Sequence, residues 1–254
     1  MKIFSILGTG WLGYALASEL KNKYKVKVSI RDENKRAKYK EENLFPFFLN
    51  EENLDYLDNL LDTNYLFINF PPSKFKDYTS FLDEIYSHKK IKNIEKIIFV
   101  SSTSIYPDLD FIFNEEYILK DSKSLKVYDA ETLIKDKTDL IFRCSGLMGY
   151  NRIAGKRSSS KVVNDKNIKV NYIHRDDVIR ATLFAINNNI NGTFNLSVDI
   201  HPTKEEIYSF NSEKYGFEKS IFKDKRGLKN RIIDGSKIEK LGFKYKYSNP
   251  FEFV

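Results

Sequence analysis

The apolar run Lys2-Ile3-Phe4-Ser5-Ile6-Leu7 leads straight into Gly8-Thr9-Gly10-Trp11-Leu12-Gly13, and a helical pattern follows from Tyr14 to Leu20. Strand, glycine turn and helix in that order are the context in which G-x-G-x-x-G reads as a dinucleotide-binding fingerprint. Each glycine has a separate task. Gly8 lets the chain turn sharply, Gly10 lets a pyrophosphate approach the backbone, and Gly13 lets the helix pack against the strand. Trp11 and Leu12 complete the turn, and the helix opening there offers free N–H groups and a positive dipole end to phosphate. The alternative is a glycine-rich turn with no ligand, and the order of the elements weighs against it.

Strands and helices alternate along the chain, which predicts an α/β fold: a Rossmann-type, doubly wound parallel sheet. Val26–Ile30 reads as a second strand, and Leu44–Leu49 as a third with Pro46 at its start or on an edge. Tyr65–Phe70 reads as a fourth, stopped by Pro71-Pro72 and followed by a helix over Phe75–Lys90. Ile97–Val100 and Asp139–Arg143 read as two more strands. After residue 147 the rhythm breaks. The stretch Arg152–Lys169 reads as a loop, Val170–His174 as a strand, and a helix capped by Asp176 or Asp177 runs to about Asn188. Gly192–Ser197 returns to the sheet, and Pro202–Tyr215 is a further helix. The dinucleotide-binding core is thus expected over 1–147, completed by about 170–197. Residues 148–169 and 198–254 are expected to form a small C-terminal substrate subdomain.

At 254 residues and 41% hydrophobic content the chain is long and apolar enough to bury a sizeable core. No apolar stretch approaches the roughly 20 residues of a membrane span, and no basic leader or cleavage site precedes the first strand. A cytoplasmic location follows as the default expectation. Cys144 is the only cysteine and His88, His174 and His201 have no ligand spacing, so neither a disulfide nor a metal is expected. The formal charge of +7 reads first as lysine on solvated surfaces. No nucleic-acid motif accompanies it, so a small-molecule substrate is the expected partner, with no nucleic acid, no membrane and an oligomer left open. One local cluster stands out: Arg152, Lys156, Arg157, Lys161, Lys166 and Lys169, with Asp165 as the sole acid among them. It reads either as a solvated loop or as a contact for an anionic substrate group.

The end of the second strand selects the cofactor. An Asp or Glu there holds ribose hydroxyls, whereas an Arg accommodates a 2′-phosphate. Arg31 stands there, followed by Asp32, so NADP(H) is favoured over NAD(H). The competing reading makes Arg31 an exposed strand-end charge and gives the ribose to Asp32.

Four segments together resemble the NAD-dependent epimerase/dehydratase family, on its atypical, extended-like short-chain dehydrogenase/reductase branch. They are Gly8–Gly13, Ser101-Ser102-Thr103-Ser104-Ile105-Tyr106, Arg143-Cys144-Ser145-Gly146-Leu147-Met148-Gly149 and Asn171-Tyr172-Ile173-His174-Arg175-Asp176-Asp177. The resemblance implies an epimerase/dehydratase-like oxidoreductase acting on a small polar substrate such as a nucleotide-sugar. It makes Ser102 the active-site serine that hydrogen-bonds the reacting oxygen, with Ser101 beside it. It sets Phe70, Pro71 and Pro72 beside the adenosine and ribose, and Cys144, Ser145 and Gly146 beside the nicotinamide. His174 and Asp177 fall under the substrate region, His174 as a structural histidine and Asp177 as a helix cap.

Two departures matter. The first glycine gap is one residue shorter than the extended group's. The family's Tyr-x-x-x-Lys pair, in which the lysine lowers the tyrosine pKa for proton transfer, is incomplete. Tyr128 stands at the right distance, but Thr132 holds the lysine position. Aligning on Ala130-Glu131 instead puts Lys123 and Val127 at those positions. Tyr86-x-x-x-Lys90 and Tyr215-x-x-x-Lys219 read as chance spacings. Tyr128 is therefore either an acid/base that borrows another cation, from Lys126 or from a residue of the basic stretch, or a half-buried helix residue. The alternative to an enzyme is a non-catalytic NADP(H)-binding sensor or regulatory protein.

Overall fold

The computed structural model describes residues 1–223 and 227–253. Residues 224–226 and 254 of the lysine- and aromatic-rich tail lie outside the described residues. In chain order the first elements are β1 (Ile3–Leu7), α1 (Trp11–Leu20), β2 (Lys25–Ile30), α2 (Arg36–Glu41), β3 (Phe45–Phe48), α3 (Leu57–Leu61) and β4 (Tyr65–Ile68). Next come α4 (Tyr78–Tyr86), β5 (Lys96–Ser102), β6 (Phe111–Phe113), α5 (Leu125–Ile134), β7 (Leu140–Cys144), β8 (Gly146–Met148) and β9 (Val162–Val163). The chain closes with β10 (Tyr172–His174), α6 (Arg175–Asn187), β11 (Gly192–Leu196), α7 (Lys204–Tyr215), β12 (Ile221–Phe222), β13 (Arg231–Ile233) and α8 (Ser236–Glu239).

Seven strands form the central sheet in the order β11-β7-β5-β4-β1-β2-β3. The pairs β1–β2, β2–β3, β1–β4 and β4–β5 run parallel, with Phe4 opposite both Val26 and Tyr65. The chain builds outward from β1 through β2 to β3, then returns to the other side of β1 at β4. That reversal is a topological switch point, where open α/β sheets leave a crevice beyond the strand C-termini. Pro46 lies in β3, an edge strand, where its missing N–H costs no ladder bond. Three two-stranded pairs, β8–β10, β9–β12 and β6–β13, complete the strands.

Packing divides the chain into two compact units. The first comprises Met1–Ser101, Leu125–Phe142 and Ala185–Gly192; the second comprises Ser102–Ser124, Arg143–Phe184 and Thr193–Val254. In the first unit Leu7, Leu60, Leu66, Ile68, Phe70, Phe75, Phe81, Leu82 and Ile85 belong to one buried cluster. The helix expected over Phe75–Lys90 is shorter at both ends. Asp77 caps α4 by accepting the Ser80 N–H at 3.0 Å, and Phe75 stays extended, with its ring in the cluster.

Two lysines are buried inside strands. Lys27 Nζ donates to the carbonyls of Asn59 and Asp62 at 2.6 and 2.5 Å, at the end of α3. Lys96 Nζ donates to the Ile190 carbonyl at 3.0 Å and to Asn191 Oδ1 at 2.6 Å, past the end of α6. The Lys27 head thus reaches carbonyls that the end of α3 cannot satisfy by itself.

Candidate functional site

The glycine turn joins β1 to α1 in the first unit. Gly8 has φ +94°, a conformation that L side chains rarely adopt, and a Cβ there would stand 2.3 Å from the Asn69 carbonyl oxygen. Its N–H donates to Ser29 Oγ at 2.8 Å, and the Asn69 N–H donates to the Leu7 carbonyl at 2.8 Å. The turn therefore lies against the segment leaving β4, at the switch point. Gly13 is constrained from within, since a Cβ would meet the Gly8 carbonyl oxygen at 2.4 Å and Ile6 Cγ2 at 3.1 Å. Gly10 differs from both. It sits at the N-cap of α1 with φ −87°, and a Cβ there would meet nothing within 4 Å. No fold contact requires glycine at position 10.

Helix α1 adds a positive dipole end to that open space, and its first turn carries no acidic side chain. Trp11 and Leu12 begin the helix, Trp11 half-buried and Leu12 in the core. This ten-residue helix opening on a bare glycine fits a pyrophosphate.

Arg31 follows β2 directly. Its guanidinium carbon stands 4.1 Å from the ring centre of Phe75 and 5.9 Å from that of Phe70. Desolvation there draws its pKa down from the ordinary value, and the Glu51 charge opposes that change. Among the described residues Arg31 has no hydrogen bond or ion pair. Asp32 is already engaged: its Oδ1 accepts the Asn34 N–H at 3.0 Å and caps the short turn Glu33–Lys35. Arg36 is engaged too, on both Glu33 oxygens and on the Pro46 carbonyl. Phe70 is buried in the aromatic cluster and Pro71 is exposed, while Pro72 opens the turn Pro72–Lys74.

Two further residues of the first unit bear on chemistry. Ser101, at the end of β5, is buried and donates from Oγ to Glu131 Oε2 at 2.7 Å. Tyr128 is half-buried on α5, and Thr132, one turn further on the same face, is exposed. Lys126 lies two residues away, where helical geometry turns it from Tyr128, and its Nζ reaches the Phe75 carbonyl at 3.5 Å.

In the second unit Ser102 is half-buried. Its Oγ accepts both the Ser104 N–H at 3.1 Å and the Ser104 hydroxyl at 3.0 Å, so its own proton is left to donate. Cys144 is fully enclosed, and burial pushes its thiol up to about 12. Ser145 is buried, with its N–H on the Leu196 carbonyl at 3.0 Å. Gly146 is exposed and starts β8; a Cβ there would stand 2.7 Å from the Tyr172 ring.

His174 is completely buried and stacks on Tyr247 at 3.8 Å between ring centres. Its Nδ1 accepts the Asp176 N–H at 3.2 Å, a structural role as expected. Asp177 was expected as the helix cap. Instead it lies inside the first turn of α6, and its carboxylate accepts the N–H groups of Lys246 and Tyr247 at 2.9 and 2.8 Å. It ties down the C-terminal segment. The stretch Arg152–Lys169 is mostly loop, with β9 and a short turn Lys156–Ser158 inside it. Part of its charge is spent locally: Lys161 Nζ donates to the Arg157 carbonyl at 3.1 Å, and Lys166 pairs with Glu205 at 4.0 Å.

No protein-family model matches the chain. Protein YeeZ of Escherichia coli strain K12 is 28% identical over 269 residues, covering 98% of each chain. Among solved structures, UDP-N-acetylglucosamine 4-epimerase from Methanobrevibacter ruminantium M1, in complex with UDP-N-acetylmuramic acid, superposes with a TM-score of 0.81 at 17% identity, over 99% of this chain and 95% of that one. UDP-glucuronic acid 4-epimerase from Bacillus cereus, in complex with NAD, gives 0.77 at 18% identity, over 100% of this chain and 94% of that one. The fold is that of the NAD-dependent epimerase/dehydratases.

Within this epimerase/dehydratase fold, sequence reasoning missed three residues that shape the site. Ser29 anchors the glycine turn, Glu131 holds Ser101, and Phe75 carries Arg31. In the sequence Ser29 stands only as a polar residue in the strand Val26–Ile30, and Glu131 only as part of the Ala130-Glu131 alignment register. Phe75 was read as the start of a helix.

Proposed function

We propose that the chain binds NADP(H) and is an epimerase/dehydratase-like oxidoreductase acting on a small polar substrate of the nucleotide-sugar class. The observation that carries this reading is Gly10: glycine at a helix N-cap where a side chain would meet nothing of the protein. The pyrophosphate is assigned to the Gly8, Gly10, Trp11, Leu12 and Gly13 backbone. Phe70, Pro71 and Pro72 take the adenosine side; Ser101, Cys144, Ser145 and Gly146 take the nicotinamide side. Arg31 supports the 2′-phosphate, because its N–H edges have no partner among the described residues while Asp32 is held by a backbone cap. The bound nicotinamide supplies hydride transfer. Ser102 hydrogen-bonds the reacting oxygen of the substrate through its hydroxyl. The basic residues of 152–169 meet an anionic group of the substrate, which the subdomain 148–169 and 198–254 receives. No helix of the described residues is long and apolar enough to cross a membrane, and the proposed location is the cytoplasm.

A second reading is a cofactor-binding sensor or regulatory protein without turnover. It is favoured by α5, where Thr132 stands at the lysine position and Lys126 Nζ reaches the Phe75 carbonyl. Single-turnover oxidation of bound NADPH across aldehydes, ketones and nucleotide-sugars separates the two. The enzyme reading expects turnover that falls at least about tenfold in Ser102→Ala, within the range of a lost polar contact to reacting atoms. Tyr128→Phe reports whether the phenol takes part. No turnover with any substrate selects the sensor.

A further inference from the structure

We infer that Phe75 is a cofactor-selectivity residue: its buried ring holds Arg31 in the orientation that receives a 2′-phosphate. The inference rests on the assignment of Arg31 to that phosphate. An exposed arginine with no hydrogen bond samples many rotamers, and fixing them on binding costs affinity. Here the guanidinium is fixed beforehand. Its central carbon lies 4.1 Å from the Phe75 ring centre, within cation–π range. The ring cannot move to follow it. Phe75 is 4% exposed and packs on Phe81 at 4.8 Å, on Tyr78 at 5.3 Å and on Phe70 at 5.4 Å between ring centres. Lys126 reaches its carbonyl at 3.5 Å and adds a tie to α5.

A cation–π contact with an aromatic ring consumes no conventional hydrogen-bond acceptor, so the guanidinium N–H groups stay available for a bidentate grip on phosphate. The nearby acid does not take them. Glu51 acts on Arg31 through its charge alone, and its Oε1 accepts the N–H groups of Lys76 and Asp77 at 2.9 and 3.0 Å. Phe75 thus touches neither cofactor nor substrate in this account. It is a positioning residue for selectivity.

The test is fluorescence titration of the purified chain with NADPH and with NADH, in wild type, Arg31→Ala, Phe75→Leu and Phe75→Tyr. Phe75→Leu is expected to raise the NADPH Kd about three- to tenfold, the span of one cation–π contact, and to leave the NADH Kd within about twofold. Phe75→Tyr keeps the ring and is expected to keep the wild-type preference, which guards against a simple packing defect in the leucine variant. Parallel weakening of both cofactors, or an unchanged NADPH Kd in Phe75→Leu, overturns the inference while leaving the 2′-phosphate assignment standing. A wild type with no preference for NADPH, or a preference that survives Arg31→Ala, overturns the assignment itself and the inference with it.

Discussion

Three glycines in one turn answer to three different constraints, and substitution separates them. Gly13 is held by the fold, because a Cβ would stand 2.4 Å from the Gly8 carbonyl oxygen. Gly13→Ala is therefore expected to cost about 3 kcal/mol, the upper end of overpacking in a tight core, read as a lowered urea midpoint. Glycine spacing alone announces the turn, but only the built backbone shows which glycine the fold needs and which it does not. Arg31 was legible as a strand-end charge. Its support by Phe75 was not, because the ring reaches it from a segment more than forty residues on, through packing that no local pattern encodes.

Most elements of the central sheet were legible as apolar runs of strand length, and their ends shifted by only a few residues. Expectation and structure part where a side chain competes with a pattern. The α4 helix begins at Tyr78 because the Asp77 cap is stronger than the apolar periodicity from Phe75. Asp77→Ala is expected to cost about 1 kcal/mol, measurable by chemical denaturation. The strand lysines are a second case. Lys27 reads as a solvent-facing residue of an alternating strand, yet its ammonium closes the end of α3. Lys27→Met keeps the stem and removes the donors. It is expected to destabilise by about 1 kcal/mol, the net worth of a lost hydrogen bond. The α5 helix explains why the missing lysine matters: Thr132 shares a face with Tyr128, and Lys126 does not.

Across the whole molecule, burial sets the response to alkali. Burial pushes the Cys144 thiol up from an ordinary 9.0 to about 12, and it raises the phenols of Tyr78, Tyr86, Tyr172 and Tyr245. Each group stays neutral in the folded chain while the unfolded chain ionises. The stabilisation is complete below the unfolded values and is lost as pH rises through about 9 and beyond. Unfolding midpoints are expected to fall steadily above pH 9. Cys144 is expected to resist thiol reagents at pH 8 until denaturant is added, then to react at one thiol per chain. Prompt labelling of the native chain would contradict the enclosed position of that strand end.

The central claim is that the turn after β1 is open at one glycine to admit a pyrophosphate. Gly10→Ala tests it most directly, because a Cβ there meets nothing within 4 Å of the protein. NADPH titration of this variant, beside its urea unfolding curve, is the decisive measurement. Stability is expected to stay within about 1 kcal/mol of wild type, while the NADPH Kd rises by at least about tenfold as the methyl blocks the approach of phosphate to the backbone. A Gly10→Ala protein that folds normally and binds NADPH as wild type does would contradict it.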